Sequence, residues 1–174
     1  MGRVIPFLDL ATALDAERAA GRRIVLTNGC FDLLHVGHVR LLQQCRALGE
    51  VLVVGVNDDA SVRHLKGPTR PLVPASERAE ILAALSAVDY VTVFAEPTAE
   101  RLAATVRPEV YVKGADYEVD DHRLPEAKVV VAGGGRVVLL PLSPGRSTTA
   151  LVERMVAERL GAEASHTDGA ARPS

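Results

Sequence analysis

Hydrophobic positions along the chain follow two alternating rhythms, short apolar runs and longer stretches with apolar residues at helical spacing. A helical pattern at 8–20, LDLATALDAERAA, stops at Gly21, a residue suited to the turn past a helix end. An apolar strand follows at 23–28, RIVLTN. Val39, Leu41, Leu42, Cys45 and Leu48 then mark one face of a helix over 36–48, closed by Gly49. VLVVGV at 51–56 is almost continuously apolar, as expected of a strand covered on both faces in a parallel sheet. The polar stretch 57–74 carries Pro breaks and predicts a mobile loop. Beyond it the pattern predicts a helix at 75–88 with Ser76 as N-cap and a strand at 89–94. A helix at 97–106 with Pro97 near its start and a strand at 109–114 come next. A short, poor helix at 123–135 breaks at three glycines. A fifth strand at 136–142 and a helix at 147–160 behind a Ser/Thr cap complete the series.

This alternation predicts an α/β fold: a Rossmann-like parallel five-stranded sheet flanked by helices. The expected organisation is an N-terminal helix (1–21), one domain (22–160) and a small, polar, disordered tail (161–174). The 174 residues are 48% hydrophobic and 24% charged, enough for one sizeable core. A net charge of −2 gives no general pull towards nucleic acid or membrane, and 3% aromatics without Trp argue against a base-stacking surface. No apolar run approaches the ~20 residues needed to span a bilayer. The opening MGRVIPFLDL lacks the features of a signal peptide, so a cytoplasmic protein is expected. The two cysteines are then expected to be reduced, with Cys45 on the apolar helix face. Cys30, His35, His38 and Cys45 match no usual spacing for a zinc site.

Parallel sheets of this kind bind ligands beyond the carboxyl ends of their strands. The polar and Gly-rich segments 27–38, 57–70, 113–117 and 143–149 all follow strands, so they are expected to gather at one edge. No GxGxxG, GxxxxGK[ST] or GxSxG motif occurs; SPGRST has Arg146 where a phosphate-loop lysine would stand. What the segments offer is donors. His35 and His38 flank Gly37 where a strand gives way to a helix, whose free N–H groups and positive dipole end form an anion seat. A lone histidine there would read as a cap; His-x-Gly-His in this setting reads as functional. Ser147, Thr148 and Thr149 open another helix and serve equally as caps or as phosphate ligands. Only three of the 20 basic residues are lysines, yet Lys66 and Lys113 both sit in Lys-Gly steps after strands. Arg70 and Arg78 could clamp further oxygens or be surface charges. Such a site suits phosphoryl chemistry driven by positioning and charge stabilisation, with no strong base required.

TNGCFDLLHVGHVRLL resembles the GxFDxxHxGH motif of the cytidylyltransferase-like nucleotidyltransferases. The resemblance continues through LKGPTRPLVP, VYVKGADY and GRSTTALVERM and covers about residues 22–159. Within that family it is most similar to the adenylyltransferase domain of the ADP-heptose synthases. It implies transfer of AMP from ATP to D-glycero-β-D-manno-heptose 1-phosphate, with Mg²⁺ carried by the nucleotide and no direct protein ligand to the metal. By the same resemblance, His35, His38, Lys66 and Thr148 would act at the reacting phosphates. Thr27, Asn28, Gly29 and Phe31 would wall the nucleotide pocket, with Gly37 in the motif and Asp32 bracing the loop. Arg70 and Arg78 would lie near the phosphates, Lys113, Gly114 and Asp116 near nucleotide or sugar, and Ser147 and Thr149 on the β- and γ-phosphates. Arg146 departs from the smaller or aromatic residue expected before Ser147. The expected partners are small molecules, ATP and a sugar 1-phosphate, with neither nucleic acid nor membrane, a homodimer, and a separate sugar kinase in the same pathway. Two alternatives remain: a cytidylyltransferase acting on glycerol 3-phosphate or phosphoethanolamine, and a nucleotide-binding regulatory module without turnover.

Overall fold

The computed structural model describes residues 1–114, 124–141, 148, 151–152 and 154–159. A two-residue strand β1 (Arg3–Val4) and a 3₁₀ turn (Phe7–Asp9) lead into α1 (Leu10–Ala19), β2 (Ile24–Gly29), α2 (Val36–Arg46) and β3 (Val51–Asn57). Then come α3 (Asp59–Lys66), α4 (Ala75–Ala83), β4 (Tyr90–Phe94), α5 (Glu100–Val106), β5 (Val110–Gly114), α6 (Pro125–Ala132) and β6 (Arg136–Leu140). Helical backbone recurs at 148, 151–152 and 154–159, where the last helix is expected.

All strand pairs are parallel, in the order β1-β4-β3-β2-β5-β6. The sheet therefore has six strands rather than five. The added one, β1, is exposed and too short to carry a period, and it exists because it pairs with Tyr90 and Val91 of β4. The chain runs outward from β2 through β3 to β4, then returns to the other side of β2 for β5. That reversal opens a crevice between the carboxyl ends of β2 and β5, the topological switch point where such sheets take ligands.

Alternation along the strands sorts the core into two layers. Ile24, Leu26, Tyr90 and Tyr111 face Leu10 and Leu14 of α1, Leu102 and Val106 of α5 and Val130 of α6. Val25, Leu52, Val54 and Val112 face Leu42 and Cys45 of α2 and Ala79 and Leu82 of α4. Burial pushes the Cys45 thiol up to about 12, as befits a core position. The N-terminal helix is part of this core. Leu10 and Leu14 are fully buried, and Glu17 accepts a 2.7 Å bond from the Tyr90 hydroxyl.

Three boundaries differ from expectation. The 57–74 loop begins with α3, because the Asp58 carboxylate caps it by accepting from the Ser61 N–H at 2.7 Å and Val62 is buried beneath it. Ser76 is not the cap of α4. That helix starts at Ala75, whose N–H is taken at 2.9 Å by Asp59 of α3, a cap supplied from another element. Pro97 lies ahead of α5, which begins at Glu100, where Leu102, Ala103 and Val106 can be buried.

Candidate active site

The loop after β2 carries the densest chemistry. His35 is the N-cap of α2 in extended conformation, its Nδ1 accepting from the Gly37 N–H at 3.1 Å. A ring nitrogen that accepts holds no proton, so in neutral His35 the proton sits on Nε2. One turn on, His38 stacks against His35 with ring centroids 3.9 Å apart and planes 19° from parallel. Phe31 supports His38 from the side, edge-on at 5.2 Å. Burial, and secondly the charge of His35, pushes the His38 pKa down to about 4, so His38 is neutral near pH 7. Its Nδ1 is buried and, among the described residues, has no hydrogen-bond partner.

Several residues expected to touch nucleotide have structural duties instead. Phe31 is 5% exposed, within the core layer under α2, and holds a left-handed φ of 49° that turns the loop. It backs His38 rather than walling a pocket. Thr27 is also buried, its hydroxyl donating to the Val112 carbonyl at 3.0 Å, which bonds the two strands bordering the crevice.

Arg78 is the clearest correction. Its side chain is fully buried, with Nε donating to the Val73 carbonyl at 2.8 Å, Nη1 to the Cys30 carbonyl, and Nη2 to Asp59 at 2.7 Å. It is a clamp joining the β2 loop, the start of α3 and the chain entering α4, and no phosphate oxygen can reach it in this arrangement. Arg70 is also engaged, donating to Asp32 Oδ2 at 2.7 Å. The other Asp32 oxygen accepts from the backbone N–H groups of Leu72 and Val73 at 2.7 and 3.0 Å. Asp32 thus ties the 70–73 segment to the β2 loop, the bracing the sequence suggests. Burial raises its pKa, but the bonds from Arg70, Val73 and Leu72 outweigh this and hold the carboxyl below the usual range.

The remaining cations converge on the loop. Lys66, at the exposed end of α3, and Lys113, the penultimate residue of β5, both act electrostatically on the Cys30 thiol, as does Arg78. Burial outweighs them and leaves that thiol raised, so Cys30 is protonated near neutral pH. The Thr148 hydroxyl donates to the Leu33 carbonyl at 3.3 Å, bringing the last helix against the same loop. Gly29 and Gly114 end β2 and β5 on either side of the crevice. Asp116, Arg146, Ser147 and Thr149 lie outside the described residues.

Two buried polar groups lie behind Asn28 and Lys113 without a signal in the sequence. Tyr111 looks like another strand hydrophobe and Glu126 like a surface charge on a weak helix. In the fold the Tyr111 hydroxyl stands 2.6 Å from both Asn28 Oδ1 and Glu126 Oε1, and Lys113 Nζ is 3.7 Å from Glu126 Oε1. Val-Tyr-Val at 110–112 is a continuous apolar run, so nothing in the sequence marks either residue.

A parallel α/β sheet with paired imidazoles on a helix start at its switch point, and ammonium groups nearby, has the donor chemistry to accept phosphate chains. That is the class of the nucleotide-handling α/β proteins. Residues 26–154 match the family model described as cytidylyltransferase-like, and the chain belongs to that family of nucleotidyltransferases. It is 54% identical over 151 residues to the bifunctional protein HldE of Syntrophotalea carbinolica, covering 84% of this chain and 30% of that protein. It is 51% identical over 152 residues to the HldE of Pseudomonas paraeruginosa, covering 87% of this chain and 32% of that protein. The chain thus spans about three tenths of the length of these curated relatives. Among solved structures, a lipopolysaccharide core biosynthesis protein from Thermoplasma volcanium superposes with a TM-score of 0.57 at 27% identity, covering 71% of this chain and 98% of that one. Pantoate-beta-alanine ligase from Francisella tularensis also has a TM-score of 0.57, at 13% identity over 85% of this chain and 69% of its own, and shares the fold. Among the described residues no helix is long and apolar enough to cross a membrane.

Proposed function

We propose that the chain transfers the adenylyl group of ATP to D-glycero-β-D-manno-heptose 1-phosphate, giving ADP-heptose and pyrophosphate. The observation that carries this reading is the stacked His35–His38 pair on the first turn of α2. The identity to proteins named HldE and the likeness to a protein named for lipopolysaccharide core biosynthesis support the choice of acceptor.

The sugar phosphate oxygen attacks the α-phosphorus in line. A new P–O bond forms as the bond to the bridging oxygen breaks, and its electron pair leaves with pyrophosphate. The attacking oxygen is already ionised, so the protein needs to supply no strong base. His35 and His38 donate N–H groups to the equatorial and bridging oxygens, where charge grows in the transition state. Lys66, Lys113 and Thr148 add donors from three other elements, and Asn28, Gly29 and Gly114 edge the crevice. Ser147 and Thr149 would take the outer phosphates and Asp116 the nucleotide or sugar. Imidazole, ammonium and hydroxyl donors suit phosphate oxygens better than a divalent cation, so Mg²⁺ would arrive on the triphosphate. When bound it would supply charge neutralisation on the phosphate chain, which His35, His38, Lys66 and Lys113 would orient. A sugar kinase acting earlier must supply the 1-phosphate, and the setting is the cytoplasm.

The test is pyrophosphate release with ATP, CTP, GTP and UTP, each crossed with heptose 1-phosphate, glycerol 3-phosphate and phosphoethanolamine in the presence of Mg²⁺. Turnover confined to ATP and the heptose is expected. Turnover with CTP and a small alcohol phosphate would keep the chemistry and replace the substrate. Nucleotide binding without turnover in any combination would favour a regulatory module.

A further inference from the structure

Glu126 is a carboxylate that the transfer chemistry does not use, only 3% exposed and on an eight-residue helix beside the crevice. A buried carboxylate is costly unless charge or hydrogen bonds compensate it. Here the compensation comes from two residues of one strand. The Tyr111 hydroxyl is 2.6 Å away and the Lys113 ammonium 3.7 Å away, both from β5. The same hydroxyl lies 2.6 Å from the side-chain oxygen of Asn28, at the end of β2.

The register explains why these groups meet. Thr27 of β2 pairs with Val112 of β5, so Asn28 and Lys113 follow on neighbouring strands. Residues two apart on a strand share a face, which puts Lys113 with Tyr111 on the side covered by α6. Gly55 of β3, opposite Asn28, keeps the space open there. A Cβ on it would stand 3.2 Å from Asn28 Cβ and 2.3 Å from Leu102.

We propose that Glu126 is a positioning residue for the nucleotide site, holding the Lys113 ammonium at the crevice and, through Tyr111, fixing the side chain of Asn28. The proposal rests on the reading of this crevice as a nucleotide site. A lysine has a flexible stem that loses rotamer freedom when it grips a phosphate, and a fixed counter-charge beneath it bears that cost before the ligand arrives. Glu126 touches no reacting atom. Its effect on the ligand passes through Lys113 and Asn28.

The test is a double-mutant cycle read by calorimetric binding of Mg²⁺–ATP and, separately, Mg²⁺–CTP, with thermal melting of every variant as the fold control. Glu126→Gln keeps the volume and removes the charge. It is expected to weaken binding of the preferred nucleotide by about tenfold, the scale of one charged hydrogen bond. In a Lys113→Met background the same substitution is expected to cost only about threefold, because the route through Lys113 is gone and only that through Tyr111 and Asn28 remains. Tyr111→Phe is expected to weaken binding while leaving the coupling between Glu126 and Lys113 intact. Should Glu126→Gln fail to fold, the cycle is read with Glu126→Asp, which retracts the carboxylate by one methylene. Binding unchanged in Glu126→Gln, or losses that add in the Lys113→Met background, overturn the proposal and leave Glu126 a core group. A wild-type chain that binds neither nucleotide overturns the reading of the site itself, a separate outcome.

Discussion

The His35 Nδ1 accepts the Gly37 N–H while its ring lies against that of His38, 3.9 Å between centroids. One imidazole therefore caps the helix and the other rests on the cap. Their roles separate on substitution. His38→Ala is expected to cut pyrophosphate release by about 10²–10³-fold, the loss seen when one preorganised donor is removed, with the melting point nearly unchanged. His35→Ala is expected to lose comparable activity and also about 1 kcal/mol of stability, because the cap goes with it. Activity within twofold of wild type in His38→Ala would remove that residue from the reaction.

Burial sets a pH signature on nucleotide binding. His38 has its pKa lowered to about 4, and a triphosphate beside it favours the imidazolium and raises that value. Binding is then coupled to proton uptake between the free and bound values. Calorimetry in buffers of different ionisation enthalpy is expected to find uptake growing as pH falls from 7 to 5. No uptake across that range would mean the phosphates do not approach His38. The sign for stability follows from the same shift. Below the ordinary histidine range the unfolded chain binds a proton that folded His38 refuses, so this group's contribution to stability falls with pH down to about 4.

Asp32→Ala is expected to release the 70–73 segment, since one carboxylate accepts from Arg70, Leu72 and Val73. A loss of about 2 kcal/mol is expected by urea unfolding at pH 7. The folded-state pKa is depressed, so this stability is present above the usual carboxylate range and is lost as pH falls through the folded value. The difference between wild type and variant is therefore expected to narrow in acid. A gap that stays constant to pH 2 would mean the bracing does not depend on the charge.

Arg78→Lys discriminates the buried clamp from a phosphate ligand. Lysine keeps the charge but cannot reach Val73, Cys30 and Asp59 together as the guanidinium fork does. A loss of about 3 kcal/mol is expected, as for disrupting a buried ion pair, with the affinity of the folded fraction for nucleotide within about twofold. Unchanged stability with affinity lost tenfold would restore the phosphate role.

Local pattern along the chain was enough for the alternation of strands and helices, the parallel sheet and the placement of His35 and His38 on a helix start. These depend on residues close in the chain: period two in a strand, 3.6 in a helix, and a ring nitrogen reaching the N–H two residues on. The Asp32 brace was also legible, through the family resemblance. Which charges stay open at the crevice and which are enclosed depends on contacts between elements far apart in the chain. Arg70 and Arg78 look alike as basic residues near one loop, yet the first is paired at the crevice and the second is enclosed by a carbonyl 48 positions away. Tyr111 and Glu126 meet Asn28 and Lys113 only because β5 returns to the open side of β2 and brings α6 over it. The two-residue β1 likewise exists only through its pairing with β4. Local periodicity encodes which face of an element is apolar. The partner of a buried charge is chosen by elements that meet only when the sheet order is complete, and a short strand or a weak helix carries no period from which that meeting could be read.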